Sequence, residues 1–410
     1  DIVHNAGQFI TTNSTINTVN GFTNMVSGVM TMNYLSKINT GSFNNQGLLN
    51  AYGSAGYVTF ENGFTNSGLM NLKGSIMANS SATNSQGGTL NLGAAGETTT
   101  LSGSGAWNND GTIAVSGVGN VVNLGGTLTN NATGSVQVSG VASGLNMGSL
   151  VNAGTISFGA STTSVISGSV DNNGTFLMTN AAIAAGSFSN EEGAILSGTG
   201  TLNVNSGSGT LMNGGTVSPG GDNTVGTLSI VGGYSQTGKG ILKIDVAGDS
   251  SYDMLGVSAE TVSLGGTLIT KLLNSYVPAV GTSFSPIQGA YSSTGSFRYV
   301  EGDIVTSGGV KNMIKARYNI GEPSAAVRLT MMAPEEITYT GGVESQWGDI
   351  NNWSSNYIPT AIDSVIFPTG ISAMYQGGGR SETLEKITVA SGAYFTMFGG
   401  NLTVNDVSSS

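Results

Sequence analysis

The sequence predicts an all-β fold, a parallel β-helix (β-solenoid) with about 21 residues per coil. The first observation is a recurring phrase of an apolar residue, any residue, Asn, a short spacer and Gly. It reads Phe43-Asn44-Asn45-Gln46-Gly47 in one copy and Phe64-Thr65-Asn66-Ser67-Gly68 in the next. The glycines that end the copies are Gly7, Gly28, Gly47, Gly68, Gly88, Gly111, Gly134, Gly154, Gly174, Gly193 and Gly215.

The second observation is strand-like alternation after each of these glycines. The residue two positions on is always apolar, and the fourth is often apolar too, whereas small or polar residues stand between them. The second positions are Phe9, Met30, Leu49, Met70, Leu90, Ile113, Val136, Ile156, Phe176, Ile195 and Val217. A helical repeat would need apolar spacings of three and four. Strict six-residue spacing is also missing, which favours a right-handed over a left-handed β-helix.

The asparagines of the phrase have two interpretations. They could be turn residues, since Asn tolerates positive φ and bonds its own backbone. They could instead form an internal ladder of stacked side-chain amides. The fixed offset between each Asn and the apolar residue before it favours the ladder.

Composition narrows the class of protein. The 410 residues include 65 Gly, no Cys and one His, with 9% charged residues and a net charge of −11. The acidic balance argues against a nucleic-acid partner, which needs clustered Lys and Arg. No apolar run is long enough for a membrane-spanning helix. Polar, Gly-rich solenoids without Cys are commonest among exported bacterial surface proteins, so an extracellular or cell-surface location is expected.

The repeat pattern changes at Ser218-Pro219-Gly220-Gly221, which divides a regular solenoid (1–221) from a β-rich closing region (222–333). The closing region contains Gly226-Thr227-Leu228-Ser229-Ile230 and Leu264-Gly265-Gly266-Thr267-Leu268. This succession resembles the passenger C-terminus of autotransporters and filamentous-haemagglutinin-like bacterial surface proteins. The resemblance implies an exported surface protein and brings no catalytic residues with it. An autotransporter passenger would be followed by a membrane-barrel domain, which is not expected within these 410 residues.

A second boundary at Ala333-Pro334 opens a C-terminal β segment, 334–410. Its Trp347-to-Ser354 stretch, followed by Ile358-Pro359 and Asp363-Ser364-Val365-Ile366-Phe367, resembles the start of a new β-helix in the same class of proteins. The tail around Asn401–Asn405 would hold the first strands of that new solenoid. The segment either starts a second solenoid or docks on a neighbouring molecule.

Catalytic chemistry is not expected, and no catalytic, cofactor or metal site is assigned. His4 is the only histidine, so Ser-His-Asp and Cys-His arrangements and zinc sites are nearly excluded. A glycosidase needs two carboxylates facing each other, whereas those of the regular solenoid are scattered over many coils. After Asp1 they are Glu61, Glu97, Asp110, Asp171, Glu191 and Glu192, with only Lys37 and Lys73 as basic residues.

Two sets of charged residues each have two possible interpretations. Asp245, Asp249 and Asp253 could bind calcium through oxygen ligands, but a solvated loop is the favoured interpretation. The basic residues near 301–333 could bind a polyanion, although a solvated edge of the closing sheet is favoured. These are Arg298, Lys311, Lys315, Arg317 and Arg328.

The function expected from sequence is structural: a β-solenoid subunit of a bacterial surface fibre, sheath or coat. The alternative is an adhesin stalk holding a distal binding domain, with surface glycans or other cells as partners. A polysaccharide-acting enzyme is the third and least favoured hypothesis. Neither terminus reads as capped, so either the chain is cut from a longer polypeptide or copies of it cover the ends. In the second case the 335–410 segment of one copy would dock head-to-tail on the N-terminal coils of the next.

Overall fold

The computed structural model describes residues 2–93, 98–102, 105–319, 325–341, 345–375 and 381–409. It is an all-β parallel β-solenoid of about 18 turns and ~21 residues per turn, with 61% strand and 2% helix. Contacts divide the chain into two compact units. We call 1–215 with 229–232 the N-terminal unit, and 216–228 with 233–410 the C-terminal unit.

Strands β1 to β25 belong to the N-terminal unit. They are β1 (Ile2–Asn5), β2 (Gln8–Thr12), β3 (Thr15–Asn17), β4 (Gly21–Asn24), β5 (Val29–Asn33), β6 (Lys37–Asn39), β7 (Phe43–Asn45), β8 (Leu48–Phe60), β9 (Phe64–Asn66), β10 (Leu69–Ala78), β11 (Ala82–Asn84), β12 (Thr89–Leu92), β13 (Thr98–Ser102), β14 (Trp107–Asn109), β15 (Thr112–Val115), β16 (Val121–Leu124), β17 (Thr127–Asn130), β18 (Ser135–Val138), β19 (Gly144–Asn146), β20 (Ser149–Asn152), β21 (Thr155–Phe158), β22 (Thr163–Asn172), β23 (Thr175–Asn190), β24 (Ile195–Val204) and β25 (Thr210–Asn213). A 3-10 turn covers Asn205–Gly207.

Each coil of this unit carries three strand positions, and each position pairs in parallel with the same position one coil on. The first position ends in the phrase asparagine, as in the β14–β17 pair, where Asn109 lies opposite Asn130. The second follows the glycine, as in the β21–β23 pair, where Ile156 lies opposite Phe176. Three sets of parallel backbone strand pairs therefore run along the stack of coils.

The predicted alternation is confirmed. Side chains two residues after the glycine point inward, and Ile156 and Phe176 are 0% exposed. Side chains four residues after it, such as Val115 and Phe158, are also buried. A third apolar column stands two residues before each Asn and is buried from the coil of Asn24 onward: Phe22, Phe43, Phe64, Ala82, Trp107, Leu128, Leu150, Val170, Phe188 and Leu211.

The prediction for the coil of Gly193 is wrong by one residue. Ile195 is 39% exposed, while Leu196 is buried and lies opposite Phe176. The position of the other phrase glycines is occupied by Ala194, whose N–H donates to the Glu191 carbonyl as Gly134 donates to Asn131. Gly193 instead takes a positive φ of 85° in the turn before it. The turn from Asn190 to Ala194 is as long as that from Asn130 to Gly134, whereas a turn ending at Gly193 would be one residue shorter.

Replacing Gly154 by alanine should destabilise the N-terminal unit. A Cβ at Gly154 would lie 2.2 Å from the Gly134 carbonyl oxygen, and backbone one coil away cannot move without breaking the ladder. Overpacking of this kind costs about 1–3 kcal/mol, readable as a lower denaturant midpoint. Gly7→Ala is the matched control, because a Cβ there meets nothing within 4 Å. Equal midpoints for the two variants would contradict the close approach.

The remaining strands follow Gly215. They are β26 (Thr216–Pro219), β27 (Thr227–Val231), β28 (Gly233–Gln236), β29 (Ile241–Gly248), β30 (Ser251–Tyr252), β31 (Met254–Val257), β32 (Thr261–Leu264), β33 (Thr267–Leu272), β34 (Ser283–Phe284), β35 (Ile287–Gln288), β36 (Ser292–Gly295), β37 (Tyr299–Gly302), β38 (Ile304–Ser307), β39 (Val310–Tyr318), β40 (Val327–Met332), β41 (Glu336–Thr338), β42 (Ser345–Gln346), β43 (Ser364–Phe367), β44 (Ser372–Tyr375), β45 (Ser381–Val389), β46 (Tyr394–Met397) and β47 (Asn401–Ser409). A 3-10 turn covers Ile350–Asn352.

The C-terminal unit changes its strand arrangement twice. Parallel pairing runs from β26 through β29 and β33 to β37. Strands β34, β40, β39 and β38 then form an antiparallel sheet. After it, β41, β43, β45 and β47 form a parallel sheet, and β42, β44 and β46 form a second one. The tail strand β47 is thus the last strand of its sheet, whereas the sequence suggested one of the first.

Candidate functional site

The dominant polar feature of the N-terminal unit is a ladder of buried asparagines, one in every coil. Eleven side chains form it, joined by amide-to-amide hydrogen bonds of 2.7–2.9 Å. We call them the asparagine ladder: Asn5, Asn24, Asn45, Asn66, Asn84, Asn109, Asn130, Asn152, Asn172, Asn190 and Asn213. The prediction of an internal ladder is therefore confirmed.

Each ladder amide also fixes the turn that follows it. The Nδ2 of Asn109 donates to Oδ1 of Asn130 at 2.7 Å, to the Gly111 carbonyl at 3.1 Å and to the Ser135 carbonyl at 3.3 Å. Its Oδ1 accepts from Asn84 at 2.8 Å. Because both ends of an amide such as that of Asn109 are used, the ladder satisfies buried polar groups while it sets the register of the coils.

The carboxylates expected to be scattered are scattered. Glu61 pairs with Lys37 and accepts from Asn79, and these two hydrogen bonds hold its pKa below the ordinary value. Asp110 and Asp171 are half-buried and lie on different coils, and the adjacent Glu191 and Glu192 are exposed on a further coil. Glu97 lies outside the described residues. Within the described ranges, no three His, Cys, Asp or Glu side chains converge as metal ligands would.

Of the three aspartates considered for calcium, Asp245 and Asp253 contact each other, and Asp249 has a separate partner. Asp253 is fully buried and accepts from the Gly226 N–H at 2.8 Å and the Asp245 N–H at 2.9 Å. Burial raises the pKa of Asp253 to about 7 and also raises the pKa of Asp245. Asp249 accepts from the Tyr276 hydroxyl. Both oxygens of Asp253 thus hold backbone in place. The solvated-loop interpretation is wrong for Asp245 and Asp253, because these residues are 6% and 0% exposed.

The basic residues of the closing region do not all lie at a solvated edge. Lys311 is half-exposed and pairs with Glu385 at 2.9 Å, and Arg298 lies 5.4 Å from the centre of the Tyr299 ring. Lys315, in contrast, is 0% exposed. For Lys315 the solvated-edge interpretation is wrong, because β39 turns this side chain inward against residues that follow Ala333.

Lys315 lies in a buried polar cluster with Asp363, which is also 0% exposed. Its Nζ is 2.5 Å from Asp363 Oδ1, 3.0 Å from the Ala333 carbonyl oxygen and 3.1 Å from the Tyr357 hydroxyl. Tyr357 in turn donates to Glu335 Oε2 at 2.9 Å. No local sequence pattern indicates this cluster, since Lys315 and Asp363 are 48 residues apart.

A cavity of about 290 Å³ lies within the C-terminal unit. Its wall includes Tyr299, Glu301, Thr360 and Glu382, contributed by β37, the loop before β43 and β45. Oε2 of Glu382 is buried and has no hydrogen-bond partner among the described residues. Burial raises the pKa of Glu382 to about 7, against the opposing influence of the Tyr375 hydroxyl and Arg298.

The pH dependence of stability should reveal the raised pKa of Glu382. Its folded-state pKa is higher than the ordinary 4.5, so its stabilising contribution is fully present below 4.5 and lost as the pH rises through about 7. Chemical denaturation should be measured below pH 4.5 and above about pH 7. Between these two conditions the wild type should lose more stability than Glu382→Gln, which cannot ionise. The same loss in both proteins would contradict the shift.

The stretch from Trp347 to Ser354 contributes to the aromatic core of the C-terminal segment. Trp347 and Trp353 pack edge to face with centroids 4.7 Å apart, and the Trp353 Nε1 donates to the Trp347 carbonyl at 2.9 Å. Tyr339, Phe367 and Tyr375 surround them. These residues pack a core, so the motif is structural here.

Comparison with known proteins assigns no family. No protein-family model matches the chain, and the search of curated proteins found no significant match. The class is therefore defined by the structure alone: a parallel β-solenoid with an internal asparagine ladder. No helix among the described residues is long and apolar enough to cross a membrane.

Proposed function

We propose that this chain is an extracellular structural protein, a β-solenoid subunit of a bacterial surface fibre, sheath or coat whose copies join head-to-tail. The observation that supports the proposal is the unbroken asparagine ladder from Asn5 to Asn213. Every coil repeats the same amide contacts and apolar columns. A stack of this kind gains length by adding identical contacts.

The first coil offers one joining surface. Strands β1 and β2 pair in parallel with β4 and β5 of the second coil. Their apolar side chains Ile2, Val3 and Ile10 are 49%, 42% and 68% exposed. Exposed strands with apolar side chains are templates for a further strand.

The last coil of the C-terminal unit offers a second surface. Strand β46 pairs in parallel with β44, and β47 pairs in parallel with β45. Around them Tyr394, Met397 and Phe398 are 71%, 44% and 58% exposed. We infer that this coil of one copy covers the first coil of another. Both surfaces are parallel coils, and a contact between two different surfaces leads to an open filament.

Single substitutions test the joint better than truncation. Deleting 335–410 would remove Asp363 and leave the buried Lys315 without its partner, so loss of polymers could reflect misfolding. Ile10→Asp and Phe398→Asp each place a charge in one joining surface. Val26→Asp is the control, because Val26 is 79% exposed in a turn of the second coil.

Light scattering and electron microscopy should show polymers for the wild type and Val26→Asp, and folded single molecules for the other two variants. Polymers that persist in both Ile10→Asp and Phe398→Asp would overturn the head-to-tail joint. Single molecules for the wild type at every concentration would overturn assembly itself.

The cavity beside Glu382 favours a second candidate, an adhesin stalk that binds surface glycans. Tyr299 offers an aromatic ring, and Glu301 and Glu382 offer hydrogen-bond acceptors in a space of about 290 Å³, a combination typical of polar ligand sites. A glycan array should then give binding that Glu382→Ala abolishes. Incubation with the bound glycan should release no products, and turnover lost on changing one carboxylate would instead indicate an enzyme.

A further inference from the structure

We propose that Lys315 and Asp363 condense to an intramolecular amide bond, a covalent cross-link inside the C-terminal unit. The Lys315 Nζ lies 2.5 Å from Asp363 Oδ1, and both side chains are fully buried. No bulk water reaches either group, so hydration neither stabilises the separated charges nor reverses the condensation. The proposal does not depend on the proposed function.

Asp363 is arranged as an activated acyl group. Its Oδ2 accepts from the Thr360 N–H at 2.9 Å and from the Thr360 hydroxyl at 2.8 Å. Its Oδ1 accepts from the Glu335 N–H at 2.8 Å. Preorganised donors on a carboxyl oxygen stabilise the negative charge that develops when a nucleophile adds to the carbon. The two donors of Thr360 would serve Oδ2 in this way.

Lys315 is arranged as the nucleophile, with a route for its proton. The Nζ contacts the Tyr357 hydroxyl at 3.1 Å, and that hydroxyl donates to Glu335 Oε2 at 2.9 Å. Burial and the neighbouring carboxylates of Asp363 and Glu335 raise the pKa of Tyr357, so its hydroxyl keeps its proton and can act as a relay. A base that removes a proton from the attacking group is the usual means of activating an amine.

The condensation balances without a co-reactant. One ammonium proton crosses from Lys315 Nζ to Asp363 Oδ1, which gives a neutral amine and a neutral acid. Nζ then bonds to Cγ, and a second proton leaves Nζ through Tyr357 to the Glu335 carboxylate, from which the relay returns it to Oδ1. The Cγ–Oδ1 bond breaks and one water molecule departs. Oδ2 becomes the amide oxygen, still held by Thr360.

The product suits the site as well as the reactants do. An amide keeps one N–H on Nζ, and the Ala333 carbonyl oxygen, 3.0 Å away, accepts it. The bond would join β39 to the loop before β43 and close a loop of 48 residues. A cross-link of this span restricts the unfolded chain in the way a disulfide does.

Mass spectrometry of the full chain tests the proposal directly. The intact mass of folded protein, measured after denaturation, should be lower than the sequence mass by one water molecule. A protease digest should contain a branched species joining the Lys315 and Asp363 peptides. The exposed Lys311–Glu385 pair, at 2.9 Å, is the internal control and should yield two separate peptides.

Variants separate chemistry from folding. Lys315→Met should restore the full mass, and Tyr357→Phe and Glu335→Gln should slow the mass loss at least tenfold while circular dichroism reports a folded β protein. The Glu335 backbone donor stays in place in that variant. Full mass in folded wild type after prolonged incubation would overturn the proposal and leave an ordinary buried ion pair. So would a mass loss that maps to other residues.

Discussion

Asn109→Asp should strongly destabilise the N-terminal unit. The side chain keeps its shape, and its Oδ1 still accepts from Asn84. The Nδ2 that donates to Asn130 becomes an oxygen, however, and faces the Asn130 Oδ1 at 2.7 Å. A hydrogen bond is thereby replaced by two acceptors in contact.

Burial makes this replacement severe. Asn109 is 0% exposed, so a carboxylate there would lie away from water with no cation beside it. An uncompensated buried charge costs about 3–5 kcal/mol, and each buried group left unpaired adds about 1–3 kcal/mol. Protonation of the new carboxyl offers partial relief, so the loss of stability should shrink at acidic pH.

Chemical denaturation of the variant, followed by circular dichroism, measures the effect. Asn108→Asp is the matched control, since Asn108 lies on the same strand, β14, with its side chain half-buried on the opposite face. We expect a small change for Asn108 and a large drop in midpoint for Asn109. If the two variants unfold together, the ladder is not a determinant of stability.

Phe176→Ala should lower the free energy of unfolding by about 3–5 kcal/mol. The ring is 0% exposed and packs against Phe158 at 5.3 Å and Phe188 at 5.2 Å between ring centroids. Strands on either side are fixed by parallel pairing, so the cavity left by the ring cannot close by a local shift.

Thr175→Ala is the control for this substitution. Thr175 precedes Phe176 on β23 and lies half-buried on the outer face. Its truncation should change the denaturation midpoint little. Comparable losses for the two variants would mean that the inner and outer faces of the strand have been exchanged.

Repetition made most of the N-terminal unit predictable from sequence. Alternation gives the strand faces directly, and a fixed Asn offset implies a stacked column because every coil places it at the same point. The error at Gly193 has the same origin. Either Gly193 or the adjacent Ala194 could occupy the position that glycine holds in the other coils. The prediction assigned it to Gly193 because that residue is a glycine, but Gly193 lies in the preceding turn. The turn was therefore predicted one residue too short, and Ile195 was predicted at the inward position that Leu196 occupies.

The contacts of the C-terminal unit were not predictable in this way. The Lys315–Asp363 pair joins residues 48 apart, and no local pattern marks either side chain as buried. Glu382 alternates on β45 like an ordinary half-buried strand residue, and burial by residues distant in the sequence raises its pKa. Long-range packing of single side chains leaves no periodic trace. The handedness of the solenoid stays a prediction.

Fibre diffraction from aligned assemblies of the full chain tests the central claim, end-to-end assembly of solenoid copies, most directly. Strands in a solenoid lie across its axis, and successive coils are about 4.8 Å apart. If copies join end to end, the reflection at about 4.8 Å should lie on the meridian, along the filament axis. A reflection at that spacing on the equator would mean that the copies lie across the filament, and it would contradict head-to-tail assembly.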